Sequence, residues 1–156
     1  MKKIVVFIVM VLLVGCNQKE VELDLIKLYS GIESLNYKDS NNQIRPLFNN
    51  EIIDNEKLQS KYDLDISNID KILFSIPKEM DQASMYIIVL PKENKKDEVN
   101  NEIENFFIKY EQEWALYFPK EEALIKNRLQ TSYGQYLIYI VSNDNNKVLN
   151  YIKENN

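Results

Sequence analysis

The chain holds one thiol, Cys16, no histidine and three glycines, so its stock of groups for covalent or acid–base chemistry is small. Without imidazole there is no His-based triad, no His metal site and no neutral-pH proton shuttle of the usual kind. Ser75-Ile76-Pro77-Lys78 matches the S-x-x-K string of penicillin-binding enzymes, which need the serine at a helix start and the lysine one turn on. Here the string contains a proline and closes a strand-like run, and Ser142-Asn143-Asp144 scrambles the partner triplet. NDNNK at 143–147 lacks the glycine and distal glutamate of a calcium loop and reads as a helix N-cap and turn. The 24 acidic residues offer many glycosidase-like pairings, but spacing singles out none. Glu102, Glu104, Glu111 and Glu113 read as a solvated helix face.

The position of the thiol says more than its reactivity. Met1-Lys2-Lys3 is followed by an apolar run from Ile4 to Val14, then Gly15-Cys16 and the polar NQKE. A membrane-spanning helix needs roughly 20 apolar residues, so this run is too short. A basic start and a short apolar stretch form the pattern of a secretory signal, although Leu13 is a poor −3 residue for ordinary cleavage. Leu13-Val14-Gly15-Cys16 resembles the lipobox of bacterial lipoproteins. The resemblance implies cleavage between Gly15 and Cys16 and a diacylglycerol thioether on the Cys16 sulfur. It also implies a place on the extracytoplasmic face of the cell membrane, since two acyl chains anchor stably where one does not. The thiol is then consumed, leaving neither a cysteine nucleophile nor a cysteine zinc site. Beyond the covalent lipid no cofactor and no metal is expected. After cleavage only Gly31 and Gly134 remain, too few for a phosphate cradle.

Loss of Lys2 and Lys3 takes the formal charge from −5 to −7. Such a chain repels phosphate backbones, so no nucleic-acid partner is expected. No run of lysines is uninterrupted by acids, which disfavours attraction to anionic headgroups.

The elements that must position these groups follow from periodicity. Residues 1–15 form the signal peptide, and 16–50 a lipidated tether, an amphipathic helix over 23–35 (Leu25, Leu28, Tyr29, Ile32, Leu35) and a polar linker, NYKDSNNQIRP. The helix is expected to pack on its own domain or to dock a partner. Residues 51–156 form an α+β domain. It starts with a short helix behind Asp54, then strands at KILFSIP (71–77) and ASMYIIVLP (83–91) joined by the loop KEMDQ. Val99, Ile103, Phe106, Tyr110, Trp114 and Tyr117 share one face of a long helix that Pro119 stops. Strands at 127–133 and 135–142 turn at Gly134, and a terminal helix spans 144–153. The expected fold is an antiparallel sheet of about four strands, two ββα units, against the long and C-terminal helices. Helices on one face would make it a two-layer sandwich.

Over roughly residues 56–153 the chain resembles the bacterial lipoprotein family catalogued as domain of unknown function 4358. KYDLDISNIDKILFSIP, the Trp114…Tyr117-Phe118-Pro119 end of the long helix and GQYLIYIVS carry the resemblance. Two departures stand out: Lys120-Glu121-Glu122, where the family pattern has an Asp-Gln-Tyr-like segment, and Ser84-Met85, where it has an early acidic residue. The family's activity is unknown, so the resemblance carries over no catalytic residue.

Ten tyrosines and one tryptophan complete the inventory. They are expected to form an aromatic core with hydroxyls at its rim, or an interaction surface of Trp114, Tyr117, Tyr133, Tyr136 and Tyr139. The expected function is a membrane-anchored binding or assembly domain, not an enzyme, whose partner is an envelope protein or glycan. The alternative is a carboxylate-dependent cell-envelope hydrolase.

Overall fold

A computed structural model describes residues 21–155; Gly15, Cys16 and the signal-like run lie outside them. In chain order the elements are α1 (Leu25–Glu33), β1 (Asn36–Lys38), β2 (Ile44–Pro46), β3 (Asn50–Ile52), α2 (Asn55–Ser60), β4 (Ile69–Pro77), β5 (Met85–Pro91), α3 (Lys96–Ala115), α4 (Pro119–Lys126), β6 (Leu129–Tyr133), β7 (Tyr136–Val141) and α5 (Asn145–Glu154). Three of the helices begin at an aspartate whose carboxylate accepts a backbone N–H: Asp24 from Lys27, Asp54 from Lys57 and Asp144 from Lys147. Each cap satisfies one of the amides that a helix start leaves without an intrahelical partner.

The main sheet is antiparallel with strand order β3-β4-β5-β7-β6. The expected four strands pair as two hairpins, β4–β5 and β6–β7, and β5 joins β7 at the centre with Ile88 opposite Ile138. The short fifth strand, β3, adds to the β4 edge.

Side chains alternate across this sheet, and both faces are covered. Phe74, Ile76, Met85, Ile87, Val89, Tyr139 and Val141 point to the face occupied by α2, α3 and α4. Leu73, Tyr86, Ile88, Tyr136, Ile138 and Ile140 point to the other, where Leu28 and Ile32 of α1 and Val148 and Ile152 of α5 pack. The fold is therefore three layers rather than two. A central strand buried on both sides cannot alternate apolar with polar, and MYIIVL and YLIYIV do not. Full burial stabilises by about 1.5–3 kcal/mol per large apolar side chain, and α3 alone commits Val99, Ile103, Phe106 and Phe107. The two ββα units repeat in order only, since α3 and α5 lie on opposite faces.

The N-terminal third departs from expectation in its linker. NYKDSNNQIRP is a two-stranded ribbon, with Tyr37 opposite Arg45, rather than a linker. Its turn is organised by Asp39, whose carboxylate accepts the N–H groups of Asn41 and Gln43 and pairs with Arg45 at 3.2 Å. The helix before it packs on its own sheet. Gly31 lets α1 approach α5 closely, because a Cβ there would stand 1.7 Å from the Tyr151 hydroxyl. Glu33 reaches the sheet directly: it accepts the Tyr86 hydroxyl at 2.9 Å and the Asn50 N–H at 3.0 Å.

Candidate functional site

The i, i+4 spacing of Phe106, Tyr110 and Trp114 stacks three rings along α3, and Phe118 continues the series beyond the helix end. Successive centroids lie 5.4, 5.9 and 5.4 Å apart. The series is rooted in the core, where Phe106 meets Phe74 edge-on at 5.1 Å and also contacts Tyr62. Pro119 does not itself end α3, as the sequence predicts. The helix closes at Ala115, with the Trp114 carbonyl accepting from Tyr117 and Phe118, and Pro119 begins α4. That is a favoured position for proline, because the N–H it lacks would have had no partner there. Tyr117 thus leaves the helical face and is 76% exposed.

Tyr110, Trp114, Tyr117 and Phe118 form one wall of a cleft of about 650 Å³. The facing wall is the end of β4, Ile76-Pro77, with the β4–β5 loop carrying Lys78, Glu79, Met80 and Gln82. Met80 is 94% exposed, an apolar side chain held in solvent at the cleft mouth. Glu51 from β3, Glu79 from the loop and Glu113 from α3 bring three carboxylates to the lining, against the ammonium groups of Lys61 and Lys78. Burial pushes the Tyr110 hydroxyl well above the ordinary tyrosine pKa. Trp114 opposes that shift by hydrogen bonding, while Tyr62 and the Glu121 and Glu113 carboxylates add to it. The cleft can therefore offer aromatic faces, a polarisable thioether and net negative charge to a ligand.

Glu121 in the first turn of α4 accepts the Ala83 N–H at 2.8 Å, fastening α4 to the start of β5 just past the cleft loop. Lys120-Glu121-Glu122 and the segment leading into Ser84-Met85 therefore adjoin in space. Sequence reading missed this bond because 38 residues separate its partners.

Of the residues expected to form one interaction surface, only Trp114 and Tyr117 meet in the cleft. Tyr136 and Tyr139 are 1% and 0% exposed, on opposite faces of the sheet. Each hydroxyl has a structural partner: that of Tyr136 accepts the Leu23 N–H at 3.3 Å, and that of Tyr139 donates to Asn100 Oδ1 at 2.8 Å. Tyr133 is half-buried against the second core, away from the cleft. Tyr62, Tyr110, Phe118 and Met80 line the cleft instead. The helical spacing already contained Tyr110, and Ile53, Leu58 and Tyr62 suited a short helix that ends at Ser60, before Tyr62, while Met80 comes from a loop that no periodicity marks. The SIPK string is structural: Ser75 is buried opposite Tyr86, whereas Lys78 stands on the cleft rim.

The acids of α3 are not one solvated face. Glu113 lines the cleft, and Glu102 accepts the Asp65 N–H at 2.8 Å. Glu104 pairs with Arg128 at 2.6 Å, where the guanidinium also lies over the Phe107 ring at 4.8 Å. Lys126 of α4 ties back to Glu122 and to Glu111.

No curated protein and no solved structure matches the chain. A family model described as Domain of unknown function (DUF4358) matches residues 46–142, a span from the end of β2 to the residue after β7. The match holds the sheet, α2, α3, α4 and the whole cleft, while α1 and α5 lie beyond it. The chain belongs to the Domain of unknown function (DUF4358) family.

Proposed function

We propose that this chain is a lipoprotein held by a diacylglycerol thioether on Cys16 at the extracytoplasmic face of the cell membrane. Its domain binds an envelope protein or glycan through the aromatic cleft and performs no catalysis. The observation that carries this reading is the distance between the cleft and the start of the described chain. Val21 is clasped at the β6–β7 turn, its N–H donating to Gln135 Oε1 at 3.3 Å and its carbonyl accepting from Gln135 Nε2 at 2.6 Å. That turn lies at the Lys71–Leu90 end of the sheet, and the cleft lies at the Pro77 end. At 3.3 Å per residue, β4 covers about 20 Å between Lys71 and Pro77. Four residues separate Cys16 from Val21, a reach of about 17 Å fully extended. A lipid on Cys16 then keeps the cleft directed away from its own bilayer, open to partners in the envelope.

Three experiments test the reading. Mass spectrometry of membrane-extracted protein is expected to find a lipidated Cys16 as first residue; an unmodified thiol or an upstream N-terminus refutes the anchor. A photoreactive residue at position 117 is expected to capture one partner in cells with Cys16 intact and to lose it in Cys16→Ala. Hydrolysis of an envelope polymer by the purified chain, abolished by Glu51→Gln, Glu79→Gln or Glu113→Gln, would overturn the binding reading in favour of the hydrolase.

A further inference from the structure

We propose that the cleft is an aromatic cage for an organic cation: the ammonium or guanidinium head of a lysine or arginine side chain on a partner polypeptide. This rests on the cleft being the binding site and names the chemistry it selects.

Ring geometry gives the first argument. Trp114 is turned 67° from Tyr110 and 50° from Phe118, so neighbouring rings are inclined to one another rather than laid in one plane. A sugar ring stacks on a flat face. Inclined rings give the cleft wall no single flat platform, and each ring face turned to the cleft carries the negative lobe of its quadrupole. A cation within about 6 Å of such centroids is attracted by all of them at once. The cleft already shows this contact, because its own Lys61 ammonium lies 5.2 Å from the Tyr62 ring centroid.

Charge gives the second. Three carboxylates from three different elements, Glu51, Glu79 and Glu113, outnumber the Lys61 and Lys78 ammonium groups. The whole chain is negative as well, which draws cations toward it from a distance.

Size and apolar surface give the third. A space of about 650 Å³ exceeds what one ammonium head fills, and leaves room for the stem and flanking backbone of a peptide. The lysine and arginine stems are methylene chains that lie against apolar surface while the head stays polar. Exposed Met80 and Tyr117 at the mouth supply that surface.

Trp114 is the only tryptophan, so its emission reports cleft occupancy with no competing signal. The full chain in detergent would be titrated with capped glycine pentapeptides bearing a central arginine, lysine, citrulline or norleucine, and with choline. The arginine and lysine peptides are expected to give saturable changes in Trp114 emission. Citrulline and norleucine peptides should bind at least tenfold more weakly, and added salt should weaken the cationic ones. Glu113→Gln and Glu79→Gln, both at exposed positions, should each lower the affinity several-fold while leaving the urea midpoint in place. Equal binding of neutral and cationic peptides, no response to any peptide, or a response to choline alone would each overturn the proposal. Capture of a partner through position 117 alongside failure of the cationic peptides would refute the cation and leave the binding reading standing. Failure of both would remove both.

Discussion

Glu33 of α1 receives the Tyr86 hydroxyl of β5 at 2.9 Å, and its other carboxylate oxygen receives the Asn50 N–H of β3 at 3.0 Å. One carboxylate therefore bridges β5 and β3 over the strand between them. Tyr29, one turn earlier on α1, reinforces the bridge by donating its hydroxyl to the Asn50 carbonyl at 2.9 Å. The Asn50 side chain in turn donates to the Ser84 carbonyl at 3.1 Å. The short edge strand next to the cleft is thus held from behind by a helix outside the family match.

Removing the acceptor should cost more than removing one donor. Glu33→Ala leaves the Tyr86 hydroxyl and the Asn50 amide without their partner, a loss of about 1–3 kcal/mol. Tyr86→Phe keeps the Asn50 bond and should lose only about 0.5–1.5 kcal/mol. Urea titration checks both: the midpoint falls and the slope is unchanged.

Alkali should unfold the domain. Burial raises the pKa of Tyr86, Tyr110 and Tyr139 above the ordinary value of 10.0. Unfolded tyrosines release their protons near that value while the folded ones keep theirs, so the unfolded state binds fewer protons above it. Stability from these groups is complete below about pH 10 and falls as pH rises further. Urea midpoints measured across that range should drop steeply, and Tyr139→Phe should make the drop shallower.

Glu121→Gln should loosen the cleft without unfolding the sheet. The neutral amide accepts the Ala83 N–H more weakly than a carboxylate does. Amide exchange at Ala83 is expected to accelerate, while exchange in β5 and β7 stays slow. Equal acceleration throughout the sheet would mean that the bond supports the whole fold instead.

Two tyrosines expected to act together should separate cleanly. Tyr117→Ala, at an exposed site, should change stability by no more than about 0.5 kcal/mol and should abolish capture by a photoreactive residue placed at position 80 on the facing loop. Tyr139→Ala removes a fully buried ring and should cost about 3–5 kcal/mol. Comparing urea midpoints with partner capture for the two variants distinguishes surface from core.

The contrast shows which features a single sequence exposes. Helix starts were legible at Asp54 and Asp144 because a cap is a local event spanning three residues. The four long strands were legible from β-branched and aromatic content, with alternation only in KILFSIP. The number of layers was written in MYIIVL and YLIYIV, where the missing polar alternation means that both faces are covered. What stayed hidden is nonlocal: β3 is only three residues long, and Glu33 and Glu121 find partners 53 and 38 residues away. Tyrosine content marked an aromatic protein but not a site. In β7 the period of two sends Tyr136 and Tyr139 to opposite faces, so crowding in sequence did not mean proximity in space.

The Val21–Gln135 clasp also sets how the domain answers to tension. A pull on the N-terminus loads that two-bond clasp first, then Leu23, then the turns of α1, and reaches Glu33 last. These contacts run to side chains of the sheet, so the load passes from one to the next while the backbone bonds that pair β4, β5 and β7 are not in series with it. Each broken contact lengthens the stalk while the cleft stays assembled. With the Cys16 anchor and the cleft partner proposed above, the first thirteen described residues would act as a mechanical fuse between the two.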